Sequence, residues 1–448
     1  MNHHLLTKRT LSILAVGSVL SGLLAGCGGS KTDNNAASSP APAQTKPAET
    51  AKAPDPVELN VTIHFMTMTD EEFDNIIRKP LKAKYPHITL KVSRDDIVKQ
   101  VAAGQTPDIV FGANSRYYVL QDLDLPADLS GYIKNSKLDL NKFANPNMDW
   151  IKELGTKGEI FALPLAFNHM ALYYNKDLFD KRGVAYPKDG LVWEDYMELV
   201  KKLTYSDGGV QYRGTIPSNP EFFARTKMMP LVDTKTNKAL VDTAAFKSAM
   251  EYVQQFYQIP GMIVDPKAMP NYNNFFVDQQ SAMVMEWITS IIGLVPKTGP
   301  VLNYDITGAP TFKDNPGVTI DPGAQFLMMT KTSKHKDDAY KVIEYITSPE
   351  VQTILNRTSR LTGLADEAIR KDLLADVPAA KGKNIQGALK VKPQKMVPHS
   401  PYTVLVAGKI NSTIPADLVA GKDINTILRE VQEASDKTIA EEAARRQK

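Results

Sequence analysis

Residues 281–294 read SAMVMEWITSIIGL, and the fold follows from how this stretch is parsed. The apolar run Ala282–Met285 has the length and flanks of a buried strand. It stops at Glu286-Trp287, after which Ile288–Leu294 can start a helix. A strand that ends in Trp before a helix puts a large flat ring at the carboxyl edge of a sheet, where open α/β folds bind ligands. Trp287 is then either a rim aromatic of the core, whose N–H needs one partner, or a ligand platform. The rest of the chain weighs toward the platform.

The amino terminus is organised for export. Lys8 and Arg9 precede the apolar, small-residue run Leu11–Ala25, which is shorter than the roughly 20 residues of a membrane-spanning helix. Leu24-Ala25-Gly26-Cys27 closes it, and Cys27 is the only cysteine, so no internal disulfide is available. This LAGC sequence resembles the lipobox of bacterial lipoproteins, which implies a signal peptide over 1–26, cleavage before Cys27 and diacylation of that residue. The remainder of segment 27–56 holds no large apolar side chain and is expected to be a disordered tether. Fully extended, it reaches at most roughly 100 Å.

Residues 57–448 exceed what a single hydrophobic core supports, so two domains are expected. The formal net charge of +3 falls to about +1 once Lys8 and Arg9 are removed. Such a balance argues for neither a nucleic-acid partner nor an anionic membrane surface. The seven histidines show no metal-ligand spacing, and no G-x-S-x-G, H-E-x-x-H or P-loop pattern occurs. Neither a metal nor a cofactor is expected.

Glu58–Met66 alternates like a strand, and Asp70–Tyr85 repeats Phe73, Ile76, Ile77 and Leu81 at helical spacing, with Asp70 as a cap and Pro80 as an interruption. Ile88–Val92, helix Asp96–Ala103 and strand Thr106–Phe111 continue the alternation, which predicts a parallel sheet with right-handed crossovers. Two strand-like runs meet at Pro164–Asn168 within Ile160–Leu178. Further helices are expected from Val192 to Leu203, Thr243 to Tyr257, Asp337 to Thr347, Val351 to Leu355 and Ile424 to Arg446, and a strand at Phe326–Met329.

The segments Gly104–Val110, Leu163–Asn168, Ala171–Phe179, Trp193–Asp195, Ser281–Trp287, Ala309–Phe312 and Tyr345–Glu350, in this order behind the lipobox, resemble the extracellular solute-binding lipoproteins of ABC importers. The likeness is to the carbohydrate-type family that includes maltose-binding protein. It implies an α/β, two-lobed, periplasmic-binding-protein-like fold of type II, with hinge-linked lobes and a ligand cleft between them. By position, 57–165 with 308–355 would form one lobe and 166–307 with 356–448 the other, with hinge crossings at Pro164–Asn168 and Asp305–Thr311. It also implies a monomeric, non-enzymatic receptor, held outside the cytoplasm by the lipid on Cys27, that hands a small solute to permease subunits in the membrane.

Sugars call for flat apolar faces and planar polar groups. The resemblance puts Trp287 where the family has a stacking Trp, and Glu286 beside it can accept two hydroxyl hydrogen bonds. Met68 and Thr69 follow the first strand, and Asn114, Ser115, Arg116 and Tyr117 follow the third, all at the sheet's carboxyl edge. Asn168 and His169 follow the hinge, and Tyr272, Arg360 and Tyr402 are added from their loop positions. Each has a structural reading as well: a solvated strand end for Glu286, a helix contact for Tyr117, a satisfied buried ring for His169.

The leading expectation is therefore an oligosaccharide receptor. A receptor for a peptide, polyamine or other small solute is the first alternative, and a lipid-anchored glycoside hydrolase, which needs two carboxylates at a set separation, is the second.

Overall fold

The strand Val57–His64 buries Leu59, Val61 and Ile63, and it pairs in parallel with Ile88–Ser93 on one side and Ile109–Ala113 on the other. The computed structural model describes residues 54–144, 146–263, 265, 269–396 and 400–446. Cys27, the signal segment and nearly all of the tether lie outside the described residues. The expected parallel start is present, but the sheet is mixed. Gly323–Met329 runs antiparallel to both Ile109–Ala113 and Leu163–Asn168, and Leu361–Thr362 closes the far edge of a six-stranded sheet.

After Asn168 a single residue, His169, intervenes before the chain enters a second sheet at Met170–Asn175. That strand is the centre of three, flanked in antiparallel register by Met283–Trp287 and Tyr304–Gly308. Asp305–Gly308, expected in a hinge crossing, is thus hydrogen-bonded inside this sheet. The chain regains the six-stranded sheet only at Gly323.

Each sheet has its own apolar packing. Phe73, Phe111, Leu163, Leu327 and Ile343 belong to a core on the larger sheet. Leu172, Phe179, Trp193, Phe223 and Met283 form a second core, and Tyr173, Phe275, Val284 and Ile306 a third. Trp193 is buried among Tyr196, Phe223 and Phe312, a packing role. Met328 and Met329 are fully buried core strand residues. Asp108 ties the larger sheet together: Oδ2 accepts from the Asn60 N–H at 2.8 Å and Oδ1 from Ser333 Oγ at 2.6 Å.

Helical segments follow the periodicities, with three refinements. The 70–84 segment is α over Asp70–Phe73, π over Asp74–Arg78 and α again over Lys79–Lys84. Pro80 has no N–H and its ring crowds the preceding turn, which accounts for the local widening. Its cap is Thr69, not Asp70: Thr69 Oγ1 accepts from the Glu72 N–H at 3.1 Å, and Glu72 Oε2 accepts from the Thr69 N–H at 2.8 Å. Thr69→Ala is expected to cost about 1 kcal/mol of stability in urea unfolding and to leave ligand binding unchanged. A drop in affinity would return Thr69 to the cleft.

The second refinement is Thr403–Val419, a helix through Pro415 and Gly408 for which the sequence offers no clear periodic signal. It packs against Ile424–Arg446, whose bounds match the sequence reading. The third is Ile288–Leu294, where only Ser290–Gly293 is α-helical, because the strand runs on through Glu286 and Trp287.

Candidate functional site

Trp287 pairs with Met170, the first residue after the crossing between the two sheets. Its backbone is fixed by groups far away in sequence. The Tyr173 hydroxyl, fully buried, lies 2.9 Å from the carbonyl oxygens of both Trp287 and Ile288. The Ile288 N–H donates to the His169 carbonyl at 2.8 Å, and Thr289 Oγ1 donates to Asn168 Oδ1 at 2.9 Å. On the larger sheet Gly323, paired with Asn168, lies beside the indole: a Cβ there would be in ordinary van der Waals contact with Trp287 Cη2, at 3.6 Å. The half-buried ring therefore sits where the two sheets meet.

Below it opens a cavity of about 370 Å³ lined by Trp287, Glu286, Tyr272, Glu221, Arg225 and the backbone turn Ile216–Asn219, among others. Tyr272 is 49% exposed there. Glu286 is only 8% exposed; the Trp287 N–H (2.8 Å) and Ser290 Oγ (3.0 Å) both donate to its Oε1, and neither engages Oε2. Burial raises its pKa. A planar ring, a second aromatic and a carboxylate oxygen with spare lone pairs are what a hydroxyl-rich ligand needs. Two other cavities carry less. One of about 640 Å³, lined by His169, Arg370, Lys371 and Lys390 among others, has no Trp, Tyr or Phe face, and one of about 340 Å³ beside Tyr304 is framed by Val295–Leu302.

The structure thus brings Trp287, Glu286 and Tyr272 to one cavity and sends other expected contacts elsewhere. Met68 is 3% exposed and packs in the core of the larger sheet, its carbonyl accepting from Arg94, so its side chain is no cleft contact. Thr69 is the helix cap described above. Arg360 is buried, with its guanidinium spent on Ser359 Oγ, Gln325 Oε1 and the Thr67 carbonyl, so it braces a loop. Tyr402 is buried at the start of Thr403–Val419, with Arg446 over its ring. Tyr117 is buried edge-on to Trp150 and Phe326, a core contact, and burial raises its phenol pKa. Asn168 uses its side-chain oxygen to hold Thr289.

At the edge of the first and third strands, Ser115 is exposed, while Asn114 is buried with Nδ2 3.3 Å from Met396 Sδ. Arg116 lies 4.5 Å over the ring of Phe65 and donates to the Tyr118 hydroxyl. Phe65 itself is absent from the sequence expectations. It is 60% exposed with φ +54°, and a bulky residue in that backbone region commonly marks a functional constraint. The alternation of Glu58–Met66 hides it, since a strand reading gives Phe65 no special direction.

His169 is a structural residue. Its Nε2 lies 3.1 Å from the Ala388 carbonyl oxygen, and burial pushes its pKa down to about 4. An ordinary histidine in the unfolded chain titrates near 6.5, so the folded state disfavours the proton. The associated stability is complete above pH 6.5 and is lost as pH falls toward 4, amounting to about 3 kcal/mol. Urea unfolding at pH 7 and 4.5 is expected to show this loss, and His169→Gln to flatten the slope.

Comparisons with known proteins bear on the fold and the family. A binding protein of Brucella abortus strain 2308 is 22% identical over 321 residues, covering 66% of this chain and 73% of its own. Among solved structures, the ABC substrate-binding protein Lmo0181 of Listeria monocytogenes, in complex with cycloalternan, superposes with a TM-score of 0.70 at 18% identity, over 86% of this chain and 100% of its own. The sugar-binding protein MalE of Xanthomonas citri gives 0.67 at 17% identity, over 86% and 98%. These likenesses establish the two-lobed α/β fold of periplasmic solute-binding proteins. The sequence profile of bacterial extracellular solute-binding proteins matches residues 68–353, and the chain belongs to that family.

Proposed function

We propose that this extracytoplasmic solute-binding protein captures a carbohydrate, of oligosaccharide size, by closing its lobes on it and delivers it to the permease of an ABC importer. The observation that carries this reading is Trp287, a half-buried indole held at the crossing between the sheets beside Glu286 and Tyr272. The relatives bound to cycloalternan and named as sugar-binding support it. The lobe bounds expected from sequence shift with the sheets: Ala166–Asn168 and Leu361–Thr362 join 57–165 and 323–355 on the six-stranded sheet, while Gly308 stays with 170–307 on the three-stranded sheet, and the rest of 356–448 goes with the latter. Trp287, Glu286 and Tyr272 are the ligand contacts on one wall, and Phe65, Ser115 and Arg116 face the ligand from the other lobe. The protein acts as a monomer without chemistry of its own, and the diacylated Cys27 holds it at the cell membrane.

The test is a thermal-shift screen against mono- and oligosaccharides, peptides and polyamines. A ligand at a hundred times its Kd, bound only by the folded state, adds about 2.7 kcal/mol. A saccharide is expected to raise Tm. If only a peptide or polyamine does so, the receptor fold stands and the carbohydrate assignment falls. The intact mass of membrane-extracted protein, with Cys27→Ser as control, checks the anchor.

A further inference from the structure

The wall of the Trp287 cavity carries more negative than positive charge. Its lining includes two carboxylates, Glu221 and Glu286, and one guanidinium, Arg225. Arg225 is already committed within the protein. Its Nε donates at 2.9 Å to Oδ1 of Asp321, a fully buried residue, and its Nη1 lies 3.7 Å from Glu221 Oε1. Glu221 Oε2 also accepts from Asn411 Nδ2 at 3.1 Å. One cation thus serves two carboxylates before Glu286 is counted, and the hydrogen bonds Glu286 receives, from Trp287 and Ser290, come from uncharged donors. A carboxylate so deeply buried without a cation is costly, and burial raises its pKa accordingly. An anionic ligand, whether phosphate ester or uronic acid, would add to this surplus on the Trp287 wall, whose one guanidinium is already paired.

From this imbalance we infer that the cavity selects a saccharide bearing a free amino group, whose ammonium supplies the missing positive charge to Glu286 beside the Trp287 and Tyr272 rings. The inference rests on reading the chain as a saccharide receptor. An ammonium gains a charge-assisted hydrogen bond from the carboxylate and attraction from the aromatic faces. A hydroxyl at the same place also donates to the carboxylate but brings no charge of its own, so it gains the hydrogen bond without the ion pair or the cation–π attraction.

Four disaccharides on one skeleton test it by titration calorimetry of the full-length protein: cellobiose, its 2-amino analogue (glucosamine disaccharide), the N-acetylated form and the uronic-acid form. The amine is expected to bind about tenfold tighter than cellobiose at low salt. The N-acetyl form should lose that gain, and the acid should bind weakest. Glu286→Gln keeps an acceptor for Trp287 and Ser290 and should erase the preference for the amine, with the melting temperature of the free protein reporting that it still folds. If cellobiose binds as well as the amine, or Glu286→Gln leaves the preference intact, the inference is overturned while the receptor reading stands. If no saccharide binds, both fall together.

Discussion

Trp287→Ala is expected to abolish the saccharide-induced rise in melting temperature, weakening binding on the order of a hundredfold, about 3 kcal/mol. The reason is geometric. The ring is only half-buried, so it presents a face to the cavity, while its backbone is clamped by the Tyr173 hydroxyl and the His169 carbonyl. A platform that pre-ordered loses little entropy when a ligand docks. Removing the indole leaves Glu286 and Tyr272 in the cavity but takes away the apolar face that orients the sugar. Titration calorimetry of the variant reads the loss directly. A full-strength shift in Trp287→Ala would move the site away from this cavity and leave the family assignment untouched.

The second large effect concerns stability. A Cβ at Gly214 would lie 2.1 Å from the Val200 carbonyl oxygen and 2.5 Å from its Cα. Both are backbone atoms of the helix Trp193–Lys202 and cannot swing aside. Gly214→Ala is therefore expected at or beyond the upper end of overpacking costs, about 3 kcal/mol. Because Ile216–Asn219 line the cavity two residues later, affinity should fall with it. Gly408→Ala is the matched control. It lies inside the helix Thr403–Val419 with nothing within 4 Å of a new Cβ, and should be neutral or stabilising by up to about 1 kcal/mol. Urea midpoints of the two variants moving together would refute the packing argument.

Those two glycines are indistinguishable in the sequence, and the same limit runs through the site. The helix Ile424–Arg446 is legible to its last residues, because its apolar spacing is a local property. The strand ending in Trp287 is legible for the same reason, though its length is short by two residues, since Glu286 looks too polar to sit inside a strand. Tyr173 lies in a strand that any alternation count finds, yet its hold on the Trp287 and Ile288 carbonyls depends on the pairing of strands more than a hundred residues apart. Phe65 escapes notice because the strand stops one residue short of it, at His64, and a φ of +54° turns it out to solvent.

By itself the sequence determined the order of the strands and helices with a clear periodic pattern, the strand-then-Trp junction and the segments that resemble solute-binding lipoproteins, all carried by neighbours within a few turns of chain. Only the tertiary structure decided which polar and aromatic side chains reach the cavity. Met68, Arg360 and Tyr402 all sit in or beside loops, yet long-range packing buries each of them, while Phe65 and Tyr272 are left exposed. Exposure is set by what distant segments cover, and no local pattern records it.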